Sequence, residues 1–440
     1  NNASAIRLRA TFHTLKRYKA ADGWKDFKSF EGTHSENDPA IVVTAKSYEI
    51  TDEDALPTFE YTVTVDGAVG SDEDLDGTVS LSCSAASKPA IGTYTITVDV
   101  GQLKNQNVSY TNGKLTVKEA MKETFQKNGI TYKVLSYEDK TLEVVAGAEK
   151  YSGSVMIPST VSNGGEDFKV ASIGAEAFKD CTGLLSVSMD EMTDFKEIKT
   201  RAFMGCTSLE GFRINRYVTS IGEQAFEGCS AMTYMYSVTN ALDECASRVV
   251  GSRAFAGCSS LSAVSFPTGV TAIGDEALAG CSSLTSVSIG KTMSSIGTRV
   301  FADCPKLRAI SIDSENSKYT NGADSYNRYF MIDASSKALL YGSAEPNQRT
   351  IIPEGVASIA AYAFAKNENL EYLSIPSTVT AIGEQAFAGC EKLRKLTLPK
   401  SVKFIDKNAF AYCPRLTIRC VENSYVYKYC LSNAIPWETY

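Results

Sequence analysis

A repeated phrase is the feature that most limits how this chain can fold. The sequence "TSIGEQAFEGCSAM" begins at Thr219, and "TAIGEQAFAGCEKL" begins at Thr380. The apolar residue that follows Ala in this phrase recurs with gaps of 25, 23, 29, 23, 23, 63, 23 and 23 residues. The recurring positions are Phe178, Phe203, Phe226, Phe255, Leu278, Phe301, Phe364, Phe387 and Phe410. A period of 23 predicts a stack of structural units and not one catalytic motif.

The residues of one unit predict its geometry. In the copy that starts at Val270, Val287 and Ile289 alternate with serine, which predicts a short half-buried strand. Gly274 marks a tight turn, and "DEALAGC" has the apolar spacing of one helical turn. One unit cannot bury its apolar face alone, whereas stacked units can. We therefore predict a solenoid whose strands, one in every turn, form a continuous parallel sheet.

The N-terminal part of the chain lacks this period. From about residue 35 to residue 120, short alternating runs such as "FEYTVTVDG" and "GTYTITVDVG" are separated by turn residues. Alternation of this kind predicts a small all-β domain, a sandwich or a β-grasp-like fold. The predicted fold class of the whole chain is therefore mainly β.

The unit V-x-x-I-G-x-x-A-F-x-x-C-x-x-L-x-x-V-x-I-P resembles the BspA-like, or treponemal-type, leucine-rich repeats of bacterial surface proteins. The resemblance implies a right-handed solenoid of about nine 23-residue units over residues 121–440, with short helical turns and strands on the concave face. It also implies a β-hairpin cap at about 129–165 and a closing cap at about 417–440. Between units, the Tyr, Phe and Leu runs and the Asn-Gly of residues 313–349 predict an inserted hairpin.

The N-terminal domain has its own resemblance. The order "PTFEYTVT", "GTYTITV" and "NGKLTVKEA" within residues 35–120 resembles the MBG-type domains of bacterial adhesins. Such modules are usually stalk or spacer units, which implies a surface location. The segment "LKRYKAADGWKDFKSFEG" resembles the closing segment of similar repeats, so we interpret residues 1–34 as the end of a removed upstream repeat block.

Composition argues against several classes of protein. The net charge is −7, which does not favour nucleic acid or an anionic membrane as a partner. No apolar run approaches the ~20 residues of a membrane span, so we expect no membrane insertion. Only His13 and His34 occur, and the common nucleotide-binding, zinc-protease and hydrolase motifs are missing. No signal peptide is visible at the abrupt start. We predict a monomeric, non-enzymatic protein without cofactors.

Eight of the twelve cysteines occupy one position of the repeat. These are Cys181, Cys206, Cys229, Cys258, Cys281, Cys304, Cys390 and Cys413. One interpretation is a redox or metal ladder. The other, which we favour, is one small buried thiol in each turn, because a stacking distance of about 4.7 Å is wide for a disulfide. Cys420 and Cys430, in the closing cap, are an alternative disulfide pair.

An acidic loop in the N-terminal domain suggests a calcium site as a minor alternative to no metal at all. Asp72, Asp74, Asp76 and Gly77 have the D-x-D-x-D-G register that begins a calcium loop. The twelfth position is Cys83 and not the expected bidentate glutamate. The other interpretation is a solvated acidic loop.

Three functions remain for the chain at this stage. The first is a cell-surface adhesion protein whose curved repeat surface binds a protein or a glycan. The second is a structural spacer in a larger surface protein, and the third is an enzyme. A binding protein should carry aromatic residues or Arg at outward strand positions, a spacer Ser, Thr and Lys, and an enzyme clustered carboxylates. The outward residues that favour binding are Arg213, Tyr234, Tyr236, Tyr372 and Lys395.

Overall fold

The computed structural model describes residues 9–10, 31–32, 39–105, 107–189, 192–214, 217–237, 248–266, 268–321, 330–344 and 348–440. The predicted closing segment at residues 1–34 lies outside this part of the chain, except for two short strands. The chain forms two compact units. The first contains Asn1–Lys122 and Ser162–Glu166, and the second contains Glu123–Val161 and Asp167–Tyr440.

The described residues of the first unit form ten strands and a 3-10 helix at Asp72–Asp74. The strands are β1 (Arg9–Ala10), β2 (Glu31–Gly32), β3 (Ile41–Ala45), β4 (Tyr48–Thr51), β5 (Tyr61–Val65), β6 (Ala68–Val69), β7 (Ser80–Cys83), β8 (Gly92–Asp99), β9 (Val108–Thr111) and β10 (Gly113–Lys118). Two four-stranded sheets, in the orders β4-β10-β8-β7 and β6-β5-β3-β9, pack around one core. Ile41 and Val43 of one sheet and Ile96 and Leu115 of the other are buried there. The unit is thus a β-sandwich, as the alternating runs predict.

The second unit begins with an antiparallel meander of β11 (Thr124–Lys127), β12 (Ile130–Ser136) and β13 (Thr141–Val145). Asn128 and Gly129 connect the first two strands with φ values of 50° and 78°, the left-handed pair that a two-residue hairpin favours. Strand β13 then pairs in parallel with β16 (Glu166–Ile173), and this pairing starts the stack of coils.

Most of the following coils contribute two strands, one from a set that is mostly longer and one from a set that is mostly shorter. The longer strands are β14 (Gly153–Ile157), β17 (Leu184–Met189), β19 (Gly211–Ile214), β21 (Tyr234–Ser237), β23 (Ala263–Phe266), β25 (Ser286–Ile289), β27 (Ala309–Ile312), β31 (Arg349–Ile351), β33 (Tyr372–Ser374), β35 (Lys395–Thr397) and β37 (Thr417–Cys420). The shorter strands are β18 (Glu197–Ile198), β20 (Ser220–Ile221), β22 (Arg248–Val250), β24 (Val270–Ile273), β26 (Ser295–Ile296), β32 (Ser358–Ile359), β34 (Ala381–Ile382) and β36 (Phe404–Ile405). Strand β15 (Thr160–Asn163) pairs with β16. The mainly β solenoid is confirmed, but its strands form several parallel sheets and not one.

The glycine after the shorter strand has a different role from the one predicted. A Cβ built on Gly274 would overlap with the backbone nitrogen of Ser252 in the preceding coil. The same overlap with the preceding coil occurs at Gly222, Gly251 and Gly383. Glycine is therefore needed because neighbouring coils approach each other here, and not because the turn requires a left-handed residue.

The segment expected as one helical turn is a chain of tight turns. Glu276, with φ of 55°, interrupts the helical conformation between Gly274 and Leu278. The amide of Phe203 donates to Ala225 O of the next coil at 2.7 Å, whereas Cys206 N donates to Phe203 O within its own coil at 3.1 Å. Backbone hydrogen bonds between coils thus alternate with hydrogen bonds inside one turn. The bonds between coils connect each turn to the next, as hydrogen bonds connect the strands of a sheet.

Stacked aromatic rings fill the interior of these turns. Phe203 and Phe226 lie 5.0 Å apart between ring centroids, with planes 6° from parallel. Phe226 and Phe255 repeat this arrangement at 5.2 Å, and so do Phe364 and Phe387. Leu278 replaces the ring in one coil and is fully buried.

Three strands occupy the predicted insertion at residues 313–349, of which residues 322–329 and 345–347 are not described. They are β28 (Tyr319–Thr320), β29 (Phe330–Asp333) and β30 (Ala338–Gly342), and each is antiparallel to the next. Met331 packs into the first repeat core, whereas Phe330, Ile332 and Leu339 pack into the second. The insertion therefore forms part of the solenoid interior.

The C-terminal end closes with α1 (Tyr425–Ser432) and β38 (Trp437–Thr439). The Ser424 hydroxyl accepts a hydrogen bond from Tyr427 N at 3.2 Å and so caps the helix. Strand β38 pairs in parallel with β37 and extends the last sheet. Val426 and Cys430 are buried against the second core.

Candidate functional site

The solvent-exposed side of the longer strands, here called the strand face, is the surface on which the sequence places candidate ligand contacts. Alternation decides which residues reach it. In β19, Phe212 and Ile214 are buried and Arg213 is exposed, and in β33 and β35 Tyr372 and Lys395 are exposed beside a buried leucine.

The first candidate cluster lies on the sheet β14-β17-β19-β21. In the register, Gly211 stands opposite Tyr234, and Arg213 stands opposite Tyr236. The prediction that Arg213 and the two tyrosines lie on neighbouring strands therefore matches the backbone pairing. The side chain of Tyr236 is outside the described part of the structure, so its orientation stays a prediction.

The ring of Tyr234 packs over Gly211 of the neighbouring strand. A Cβ built on Gly211 would overlap with the Tyr234 ring, so this ring lies across the backbone of β19. The side chain is 42% exposed. Two and three strands away from Tyr234, the hydroxyls of Ser186 and Ser154 form a hydrogen bond of 2.9 Å. An exposed aromatic ring can contact an apolar face of a ligand and offers a hydroxyl group at its tip.

An open groove of about 640 Å³ lies along β14, at the edge of the same sheet. Its lining includes Lys150, Tyr151, Ser154 and Met156, of which Met156 is 58% exposed. Ser154 and Met156 belong to β14, the edge strand of the same sheet. The groove and Tyr234 therefore belong to the same sheet, with β17 and β19 between β14 and β21.

The middle of the strand face is chemically plain. Strands β23, β25 and β27 pair in register and bring together Ala263, Ser286 and Ala309 in one row. The next exposed row contains Ser265, Ser288 and Ser311. Small residues of this kind offer neither an anchor ring nor a charge.

The second candidate cluster lies on the sheet β31-β33-β35-β37-β38. The register places Arg349, Tyr372 and Lys395 in one row of the strand face. Arg349 Nη2 donates to Ser374 Oγ at 3.2 Å. Tyr372 is 43% exposed and lies between the two basic residues. The structure thus brings Tyr372 and Lys395 together, as well as an arginine that the sequence reasoning did not select.

Glu438 connects one more basic residue, Arg419, to Lys395 of this cluster. Its Oε1 lies 2.6 Å from Lys395 Nζ and 2.8 Å from Arg419 Nε. Arg349 and Arg419 were missed because Arg349 is the last residue of the predicted insertion, where the repeat phase is lost, and Arg419 falls in the predicted cap. Two signals were available in the sequence. Both residues are basic, and Arg349 lies two residues before Ile351, in a strand that ends shortly before a proline.

The repeated cysteines form a structural ladder. Cys229 Sγ donates to Phe203 O of the preceding coil at 3.2 Å, and Cys281 Sγ donates to Phe255 O at the same distance. Where Asn367 replaces the cysteine, its Nδ2 reaches Gly342 O at 3.5 Å. Burial raises the pKa of the Cys281 thiol to about 12. Such thiols are neutral hydrogen-bond donors and poor nucleophiles.

The eleven described cysteines are free thiols, and they include Cys420 and Cys430. In the described part of the chain, no group of three or more His, Cys, Asp or Glu side chains is arranged to hold a metal ion. These observations favour the interpretation of one buried thiol in each turn.

The three aspartates of the acidic loop bind protein groups. Asp72 Oδ1 accepts from the Tyr61 hydroxyl at 2.9 Å, and Asp74 Oδ2 accepts from Ser71 N at 2.9 Å. The amide of Asp76 donates to Asn105 Oδ1 at 2.7 Å. The carboxylates of Asp72 and Asp74 thus stabilise the 3-10 helix and its surroundings, an arrangement that does not favour calcium.

The fold and these surfaces define a repeat-scaffold protein, a solenoid with an accompanying β-sandwich. The model of the BspA type leucine rich repeat region matches residues 166–249, 243–326 and 340–437 with six copies, and the chain belongs to this family. The model of the MBG domain (YGX type) matches residues 41–116. Both resemblances inferred from the sequence are therefore confirmed.

Solved structures of bacterial leucine-rich repeat proteins are similar to this chain. A leucine rich cell surface protein from Faecalibacterium prausnitzii is 23% identical over 73% of this chain and 95% of its own, with a TM-score of 0.47. A leucine-rich repeat protein from Eubacterium ventriosum is 21% identical over 66% and 70%, with a TM-score of 0.47. The pneumococcal vaccine antigen PcpA is 16% identical over 72% and 98%, with a TM-score of 0.42. No curated protein matches the chain.

Among the described residues, none of the helices has the length and apolar character that crossing a membrane requires.

Proposed function

We propose that this chain is a cell-surface binding protein of bacteria that captures a protein or glycan on its strand face. The proposal assigns binding and not catalysis, and a monomer suffices for it. The family supports a surface location, and the repeat scaffold supports binding over an extended area.

One observation carries the proposal. Aromatic and basic residues are concentrated at two places on the strand face, at Tyr234 with Arg213 and at Tyr372 with Arg349 and Lys395. The strands between them expose Ala and Ser. Tyr and Arg dominate the residues that anchor protein interfaces, and exposed aromatic rings also stack on sugars.

The alternative is a structural spacer, which the MBG-type sandwich on the N-terminal side favours. A spacer has no need of exposed tyrosines at selected coils, since a plain Ser and Ala face, as in β23 to β27, would be sufficient. The clustering of Tyr and Arg therefore supports binding over spacing.

The test combines ligand capture with strand-face variants. The intact chain is applied to a glycan array and to immobilised host extracellular proteins. The variant Tyr234→Ser with Tyr372→Ser should weaken capture at least tenfold, because it removes both candidate anchor rings. It should leave the fold intact, because both rings are exposed and make no contribution to the core. The matched control is Tyr412→Ser, which removes a tyrosine that is 86% exposed on a turn.

Capture that is equal in the double variant and in the wild-type chain, with equal melting temperatures, would support the spacer. So would the absence of any captured glycan or protein.

A further inference from the structure

The second cluster on the strand face contains more cations than carboxylates among the residues that form it. Arg349, Lys395 and Arg419 supply three cations, and Glu438 supplies the one carboxylate that bonds to two of them. Arg349 instead donates to the neutral hydroxyl of Ser374. The chain as a whole carries a net charge of −7, so the charge of this cluster is opposite in sign to that of the whole chain.

The charge is placed around an aromatic ring. Tyr372 lies in the strand between Arg349 and Lys395, and all three are exposed in one row of the register. Two strand spacings separate the outer residues, about 9–10 Å between their backbones. Long basic side chains on both sides can therefore reach an anionic group of a ligand that lies on the ring.

Glu438 orients two basic side chains of the cluster and leaves the cluster with a net positive charge. Its Oε1 forms ion pairs with Lys395 Nζ and Arg419 Nε, which holds these two cations next to each other. Arg419 also lies 5.8 Å from the centroid of the Tyr440 ring. Side chains that are already oriented lose less conformational entropy when a ligand binds.

The neighbouring groups favour a sugar over a peptide. The row next to Tyr372 contains the half-buried hydroxyl residues Ser374 and Thr397, and hydroxyl groups suit the hydroxyls of a sugar. Strands β33 and β35 are paired on both sides, so a peptide cannot add to them as a further strand.

We propose that Arg349, Tyr372 and Lys395 bind a glycan that carries carboxylate or sulfate groups. The ring of Tyr372 stacks on the face of a sugar, and the two basic side chains bind its anionic substituents. This inference rests on the proposed function and specifies the ligand class of one of its two clusters.

The experiment measures binding of the intact chain to matched probes by biolayer interferometry. The probes are sialyllactose, 6-sulfo-N-acetyllactosamine, neutral N-acetyllactosamine and polyglutamate, each immobilised at equal density. At least one acidic sugar should bind ten or more times more tightly than the neutral one. Its affinity should fall as the salt concentration rises from about 0.05 M to about 0.3 M, because exposed charges are screened. The sialylated and sulfated probes separate a carboxylate preference from a sulfate preference.

Variants connect the binding to the cluster. Arg349→Ala combined with Lys395→Ala should reduce affinity for the acidic sugar at least tenfold, and so should Tyr372→Ser. Lys403→Ala and Tyr412→Ser remove an exposed lysine and an exposed tyrosine outside the cluster and should leave the affinity unchanged. Equal melting temperatures verify that the variants are folded.

Three results would overturn the inference: equal affinity for neutral and acidic sugars, binding of polyglutamate alone, or acidic-sugar binding that the cluster variants do not change. If Tyr234→Ser abolishes capture of a ligand while the cluster variants do not, the strand-face function stands and this inference fails. If no variant of either cluster changes the capture of any ligand, both fail.

Discussion

Removal of one stacked ring tests whether the aromatic ladder holds the coils together. Phe226 is fully buried and lies 5.0 Å from Phe203 and 5.2 Å from Phe255, nearly parallel to both. It also contacts Phe212 at 5.0 Å with planes 57° apart. Phe226→Ala therefore removes three aromatic contacts and leaves a cavity between coils.

The size of the effect follows from the geometry. A buried Phe→Ala change costs about 3–5 kcal/mol, because the cavity adds to the lost burial. Phe226→Leu nearly conserves the volume and should cost about 1–2 kcal/mol. Leu278 already fills the equivalent position of another coil and is fully buried, so the leucine fits the site.

The assay is urea unfolding in a Trp24→Phe background, which leaves Trp437 as the single tryptophan of the sequence, followed by far-ultraviolet circular dichroism and by the fluorescence of Trp437. Phe226 belongs to the first repeat core, whereas Trp437 is in β38 beside the second. Phe226→Ala should therefore shift the circular dichroism transition more than the Trp437 transition, since repeat proteins unfold in parts. Phe387→Ala, in the second core, should reverse this pattern. A loss below about 1 kcal/mol for Phe226→Ala, or equal losses for Ala and Leu, would refute the ladder as a source of stability.

Three further predictions concern the thiols, the acidic loop and the insertion. At pH 8 a thiol reagent should modify few of the repeat cysteines of the native protein, because burial raises the pKa of Cys281 to about 12; rapid modification of most of them would contradict the ladder. A calcium chelator should leave the melting temperature unchanged, whereas an ion bound at Asp72–Asp76 at about 100 times its dissociation constant would add about 2.7 kcal/mol. The pKa of the Asp333 carboxyl group lies well below its usual range. Burial alone would raise this pKa, but the hydrogen bonds from Lys318 and Ser335 have the larger effect. Its contribution to stability is therefore complete above about pH 4 and declines as the pH falls towards the folded-state pKa. Asp333→Asn should cost about 1–3 kcal/mol at pH 7 and less at pH 2; an equal cost at both pH values would show that the charge is not responsible.

The sequence predicts those features that depend on local spacing. The recurrence of Ala-Phe and the alternation at Val287 and Ile289 are enough to predict the solenoid and the direction of its side chains, because burial of one face imposes both. The role of Gly274 could not be predicted, since it depends on Ser252, a residue of another coil. The turns differ from a helix for the same reason, as half of their amides bind to the neighbouring coil.

The candidate sites were predictable only in part. Tyr372 and Lys395 could be placed on the strand face from alternation alone. Arg349 could not be assigned to their row, because its register depends on how the insertion at residues 313–349 returns to the stack. Glu438 was equally hidden, since β38 joins the sheet after a helix and no repeat spacing leads to it. Such long-range connections are set by tertiary packing, which a period of 23 does not encode.

Footprinting of a captured complex tests most directly whether the strand face binds. The chain, with and without a glycan or protein captured in the screen, is exposed to hydroxyl radicals and its tyrosine oxidation is measured by mass spectrometry. Ligand binding should protect Tyr234, Tyr372 or both, while Tyr412, which is 86% exposed on a turn, should oxidise equally in both states. Protection of Tyr412 or of Tyr110 in the β-sandwich, with Tyr234 and Tyr372 unprotected, would contradict binding at the strand face.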